Sequence, residues 1–252
     1  MNSLESLNHK LKEHKKIFGF LAQLRDTFLL PAYKRDGVDF IVFDLEHGPA
    51  DEGQLNRLLQ YSRAIDLTTI IRVQDAIYHL ISKPIDLGAD GIILPRTETL
   101  DQVHTAIGAL RFAPIGKKGC GGTNQFRPNE SFSKFQTDRI LLLQIESPLG
   151  VQNLPHILED SGDQIGGIII GPYDMSVMVG TPLNIHSVEV TEQIDKTVEI
   201  CNRYNKSVGI FCENEEYART SYGKGMNILW TGSDIGYLTG GLTNMINKLS
   251  DL

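Results

Sequence analysis

Four short stretches concentrate side chains capable of polar chemistry: Asp44, Glu46 and His47 in DFIVFDLEH, Arg72 in TTIIRV, Gln144 and Glu146 in RILLLQIES, and Asp174 in GGIIIGPYD. In each, the polar residues close an apolar, β-branched run, the place where a strand buried on both faces emerges into a site. Gln144 and Glu146 share parity, so both can face one side of their strand while Ile145 faces the other. An isolated buried carboxylate costs several kcal/mol, which leaves Glu146 an arginine partner, a proton or a metal ion. Asp174 is a second possible oxygen ligand, and two carboxylates with positions left for water and substrate suit a hard cation such as Mg2+ or Mn2+. The competing reading is an ion pair of these carboxylates with Arg72 or Arg96, with Asp174 also capping a helix. Tyr173 and Asp174 offer backbone N–H groups where a helix starts after Pro172, an arrangement that favours an anion such as a carboxylate. A metal beside an anion hole suggests a 2-oxo acid bound by both its groups. His47 is a candidate base, with Asp44 near enough in sequence to orient its ring; the plain alternative is a hydrogen-bonded structural histidine.

Other chemistries are disfavoured by what is missing. None of the thirteen lysines falls within an apolar strand run, so an imine-forming aldolase lacks its nucleophile. GxSxG, HExxH and GxxxxGK[ST] do not occur, and no GxGxxG follows the first strand. Gly232, Ser233 and Gly236 near the C-terminus weakly resemble a phosphate cradle but equally suit a turn and helix cap.

The elements that must position these residues alternate. Strands are expected at 17–24, 39–46, 68–73, 91–95, 139–147, 166–172, 207–213 and 228–233, with helices at 51–64, 76–87, 99–110, 149–159, 187–204, 214–223 and 234–249. Eight strands with intervening helices in 252 residues is the arithmetic of an α/β fold of the (β/α)8 TIM-barrel type, here expected as a single domain over 1–252. An N-terminal helical segment spans about 1–16, and residues 111–138, rich in Gly, Pro and Asn, read as a long loop at the active site.

Composition closes off further classes. Twenty-four basic against 31 acidic residues give a net charge of −7, with no basic footprint for nucleic acid. Cys120, Cys201 and Cys212 form no CxxC pair and read as reduced thiols. No apolar run approaches the ~18 to 20 residues of a membrane span, and the charged N-terminal stretch is unlike a secretory leader, so the expectation is a cytoplasmic protein with no membrane partner.

The segments DFIVFDLEHGPAD, IIRVQD followed by IDLGADGIILPRTET, RFAPIGKKGCGG, LLLQIESPLGVQNLPHIL and GGIIIGPYDMS resemble, in order and spacing, the HpcH/HpaI aldolase and citrate lyase family over about residues 17–240. The resemblance implies a phosphoenolpyruvate/pyruvate-type barrel and a class II aldolase dependent on Mg2+, Mn2+ or Co2+, which cleaves a 4-hydroxy-2-oxo acid to pyruvate and an aldehyde through a metal-stabilised enolate. It further implies Glu146 and Asp174 as metal ligands, and Gln144 with the backbone at Tyr173 and Asp174 as pyruvate contacts. His47 resembles the base, acting through a water near the metal, Asp44 and Asp86 the groups that orient it or raise its basicity, and Arg72 the stabiliser of the enolate oxygen. A homo-oligomer, a hexamer built as a trimer of dimers, is also implied. Citrate-lyase-like or citrate-synthase-like chemistry on the same site is the alternative, and a silent carboxylate-binding barrel a more distant one. Gly116–Lys117–Lys118–Gly119 departs from the arginine-bearing turn of the family, which puts the aldehyde's identity in doubt.

Overall fold

A computed structural model describes residues 1–49, 51–122 and 124–250. Ala50 of the DFIVFDLEHGPAD segment, Thr123 of the 111–138 loop and the last two residues of the 1–252 span lie outside the described residues. The strands are β1 (Ile17–Leu21), β2 (Phe40–Asp44), β3 (Thr69–Arg72), β4 (Gly91–Leu94), β5 (Ile140–Ile145), β6 (Gly167–Ile170), β7 (Val208–Cys212) and β8 (Ile228–Ser233). All pair in parallel and in chain order, and β8 pairs with β1 to close the barrel. The TIM-barrel expectation is met strand for strand, each expected element lying within a few residues of its place.

Alternation sorts the apolar side chains into two cores. Ile17, Phe40, Val42, Ile70, Ile93, Ile140, Leu142, Ile169, Ile228 and Trp230 form one cluster, filling the barrel. Their strand neighbours, such as Ile41, Ile71, Ile92, Leu141, Leu143 and Ile145, join the larger cluster with the surrounding helices. At Gly19 a Cβ would meet the Phe40 ring at 2.4 Å, so the absent side chain makes room for that phenylalanine. The N-terminal helix α1 (Ser3–Lys12) belongs to the barrel core: Leu4, Leu7 and Leu11 close its amino-terminal end, and an Asn2/Glu5 capping box fixes the helix start.

The remaining helices are α2 (Leu30–Tyr33), α3 (Glu52–Ala64), α4 (Tyr78–Leu87), α5 (Leu100–Leu110), α6 (Phe132–Asp138), α7 (Pro148–Ser161), α8 (Pro172–Met178), α9 (Val188–Arg203), α10 (Glu215–Gly223) and α11 (Asp234–Lys248). The stretch 111–138, expected as a long loop at the active site, contains α6, which Ser131 caps through Lys134 N and whose Phe135 is fully buried, and it joins the end of α5 to the foot of β5, away from the carboxyl ends of the strands. The same stretch is tied to the barrel by buried ion pairs, Arg139 to Glu130 at 2.6 Å and Arg127 to Asp90 at 2.8 Å. No helix among the described residues is long and apolar enough to cross a membrane.

Candidate active site

Parallel register delivers the polar residues to the carboxyl end of the barrel. Asp44 and Arg72 are register partners at the ends of β2 and β3, and the guanidinium grips the carboxylate with two bonds, Nε to Oδ1 at 2.8 Å and Nη2 to Oδ2 at 2.6 Å. Burial alone would raise the Asp44 pKa, but the Arg72 bonds outweigh it and hold the carboxyl below its ordinary value. Glu46 stands 3.3 Å from Arg72 Nη1 and 3.2 Å from Arg96 Nε. Its own pKa is pushed up by burial despite those two cations.

Gln144 and Glu146 face the barrel mouth together, as their parity requires. Glu146 is almost fully buried. It accepts the Arg96 backbone N–H on Oε1 at 2.6 Å and the Gln144 Nε2 on Oε2 at 2.6 Å. Among the described residues neither it nor Asp174 makes an ion pair, so the alternative of structural salt bridges to Arg72 or Arg96 is not what the site contains; those arginines are taken by Asp44 and Glu46. Asp174 sits in the first turn of α8, whose start at Gly171 has no side-chain cap, so the helix-cap alternative is also absent. Burial pushes the Glu146 carboxyl up to about 7, with Asp174 and Glu46 adding repulsion. The oxygen Oε1 of Gln144 is buried without a hydrogen-bond partner. At Gly171 a Cβ would lie 2.3 Å from Glu146 Oε2 and 2.9 Å from Gln144 Nε2, so only glycine lets β6 approach these groups.

A buried carboxylate without a cation at Glu146, an exposed one at Asp174 and the orphaned Gln144 oxygen fit a hard divalent cation. No cluster of three His, Cys, Asp or Glu side chains suited to a metal occurs among the described residues, so water and substrate would complete the coordination shell.

A cavity of about 220 Å³ opens over these groups, lined by His47, Arg72, Gln144, Gly171, Tyr173 and Asp174 with an apolar wall of Leu21, Phe211 and Trp230. The Arg72 guanidinium also lies 5.5 Å from the centre of the Trp230 ring. Tyr173 and Asp174 are in the first turn of α8, where backbone N–H groups have no intrahelical acceptor. The Tyr173 hydroxyl donates to Glu213 Oε2 at 3.1 Å, and His186 Nε2 lies 3.2 Å from Glu213 Oε1.

The structure brings His47, Arg72, Gln144, Tyr173 and Asp174 to one cavity, with Glu146 and Asp44 bonded to its lining. The His47 ring is 63% exposed, and its Nε2 is 3.7 Å from Glu46 Oε2. Asp44 reaches His47 only through the backbone, accepting its N–H at 3.5 Å. Asp86, on α4, is engaged elsewhere: Lys118, whose side chain is wholly buried, donates to Oδ1 at 2.5 Å, and Gln125 Nε2 does so at 3.3 Å. Glu46, which the sequence places with Asp44 and His47 but to which it gives no role, lies between Arg72 and Arg96, on the inner face that its parity with Asp44 requires. The wall residues Phe211 and Trp230 carried no polar signal and emerge only from the packing.

The chain matches the family model described as HpcH/HpaI aldolase/citrate lyase over residues 18–239. It is 27% identical over 241 residues to a 2-keto-3-deoxy-L-rhamnonate aldolase of Salmonella gallinarum, covering 93% of this chain and 90% of that protein. It is 27% identical over 242 residues to a hydroxypyruvate/pyruvate aldolase of Roseobacter denitrificans, covering 93% of both. A solved HpcH/HpaI aldolase from Desulfitobacterium hafniense superposes with a TM-score of 0.88 at 19% identity, over 98% of this chain and 97% of that one.

Proposed function

The chain belongs to the HpcH/HpaI aldolase/citrate lyase family and is a carbon–carbon lyase, and from that premise we propose a divalent-metal-dependent aldolase that splits a 4-hydroxy-2-oxo acid into pyruvate and an aldehyde. The observation that carries this reading is Glu146, buried without a cation and bonded to Gln144, whose own oxygen is orphaned, beside a cavity that brings Gln144, Asp174 and Arg72 together. A divalent cation held by Glu146 and Asp174 would supply Lewis acidity toward the ketone of the 2-oxo acid.

The residues of the chain account for the remaining steps. The amides of Tyr173 and Asp174 receive the substrate carboxylate. His47, at the open side of the cavity, takes the proton of the 4-hydroxyl, and Glu46 stabilises the imidazolium that results. The C3–C4 bond then breaks, its electron pair moving toward C2 and the ketone oxygen, and the aldehyde leaves. Arg72, held rigid by Asp44, is aimed at the negative charge developing on that oxygen. Return of that proton from the His47 imidazolium to C3 completes pyruvate and restores the neutral base. The apolar wall of Leu21, Phe211 and Trp230 limits access of water to the carbanion equivalent.

The same reading extends to a homo-oligomer. Beyond Asp234, α11 leaves Leu238, Leu242, Met245 and Ile246 exposed, an apolar surface that association would cover; light scattering on a sizing column measures the mass directly.

The test is pyruvate release from a panel of 4-hydroxy-2-oxo acids, read with lactate dehydrogenase, on chelated protein and after restoring Mg2+, Mn2+ or Co2+. Metal-dependent pyruvate from at least one substrate is expected. Its absence from every substrate, in protein that binds the cation, would overturn the aldolase reading in favour of the citrate-type chemistry.

A further inference from the structure

At the opposite end of the barrel from the active site lies a larger cavity, about 380 Å³, beneath the feet of β5, β6 and β7. Four of its lining side chains are cationic, Lys12, Arg111, Arg139 and Lys206, against a single carboxylate, Asp163.

Their pairing is incomplete. Arg111 is only 4% exposed yet makes no ion pair: Nε donates to Gln164 Oε1 at 3.1 Å and Nη1 to the Arg139 carbonyl at 2.8 Å, both neutral acceptors. Burial and the nearby Arg139 push the Arg111 pKa down to about 10, the mark of a cation short of negative charge even though Asp138 acts in the opposite sense. Arg139, 1% exposed, gives both terminal nitrogens to Glu130 and the Gln125 carbonyl, but its Nε is buried with no acceptor. Lys206 donates to the Ile165 carbonyl at 3.0 Å and has no carboxylate partner within ion-pair distance. Buried charges are ordinarily paired, and a guanidinium left without a counter-ion is costly to keep. A roomy cavity lined by such a group, with Lys206 beside it, has the composition of an anion site.

We propose that this cavity at the amino-terminal end of the barrel binds a phosphate-class oxyanion, with Arg111 as its principal contact and Lys206 as the second cation. The ligand is free phosphate or the phosphate group of a small organic ester, for which the volume leaves room. The site is separate from the catalytic mouth and does not depend on the reaction assigned there.

The experiment is calorimetric titration of the whole protein with inorganic phosphate, and separately with glycerol 3-phosphate, at ionic strength held constant with chloride. Each titration is repeated in the presence of oxalate, a planar dianion suited to the 2-oxo-acid site. Saturable binding at one site per chain is expected, unaffected by oxalate, and weakened about tenfold or more in Arg111→Met and several-fold in Lys206→Met. Lys206 is only partly buried, so Lys206→Met decides the matter if Arg111→Met fails to fold by circular dichroism. Tighter binding of the ester identifies an organic phosphate as the occupant and equal binding the free ion; either supports the site. Failure to saturate, displacement by oxalate, or unchanged affinity in Lys206→Met would overturn it. Because no arm of the experiment reads turnover, a failed aldolase assay and a failed anion titration are independent results.

Discussion

On the β2–β3 side of the barrel mouth, Asp44 and Glu46 meet Arg72 and Arg96, whereas on the β5–β6 side Glu146 and Asp174 meet no cationic side chain at ion-pair distance. The outcomes differ: the Arg72 bonds hold Asp44 below its ordinary pKa, whereas burial pushes up Glu46 despite its two arginines and pushes Glu146 up to about 7, and Asp174 is exposed. On the paired side the two-bond contact of Asp44 with Arg72 is complete within the chain and fixes the guanidinium. In the proposed reading a bound cation completes the unpaired side, and the two sides divide into a positioned electrophilic contact and a cation site.

The most severe way to break the comparison is to remove the unpaired carboxylates. Glu146→Ala and Asp174→Ala should each lower pyruvate release by about 10³-fold or more and weaken Mn2+ binding, measured by calorimetry. His47→Ala should lose turnover while keeping the metal. Full activity in the Glu146→Ala/Asp174→Ala double variant would end the assignment.

The second test uses protons. Without metal, the folded protein keeps a proton on Glu146 up to about pH 7, whereas the unfolded chain releases it near 4.5. The folded state therefore binds more protons in that window, and stability falls as pH rises through it, by up to about 3 kcal/mol, levelling off above. Urea unfolding of chelated protein at pH 5 and pH 8 should show this loss, and Glu146→Gln should remove it. Added Mg2+ should restore stability at pH 8 in the native sequence only.

A smaller effect is expected on the paired side. Arg72→Ala should cost about 10²-fold in kcat, as for the loss of one oxyanion donor, with KM for the 2-oxo acid changing less. Arg96→Ala should be milder still. Its side chain is 58% exposed and its contact with Glu146 is made by the backbone, so a change within about 1 kcal/mol in stability is expected. A large loss in that variant would mean that the Arg96 guanidinium, not its amide, matters to the site.

Most of the architecture was legible because the strands are buried on both faces and therefore read as unbroken apolar runs, with helical periodicity between them. The parity of Gln144 and Glu146 and the order of the polar strand ends predicted a shared mouth. What could not be read were contacts set by register and by distant chain. That Arg72 would take Asp44 rather than Glu146 depends on the β2–β3 register. That Asp86 would be bonded by Lys118 and Gln125 depends on the path of the 111–138 stretch, where abundant Gly, Pro and Asn masked α6 although Ser131 stood as its cap. Glu46 is visible at the end of its strand, but nothing in the sequence places it between two arginines.

The alternation along β5 has a consequence for how such a chain can change over time. Ile140 and Leu142 fill the barrel while Leu141, Leu143 and Ile145 lie against the helices, so losing one residue ahead of Gln144 would turn both Gln144 and Glu146 outward among the helices and bring apolar groups to the mouth. A deletion of the same length in an exposed turn between elements moves no such parity. Point substitutions can therefore adjust the mouth gradually, but length variation in β5 abolishes the site in a single step, and insertions and deletions that leave the site intact are confined to the connections between elements.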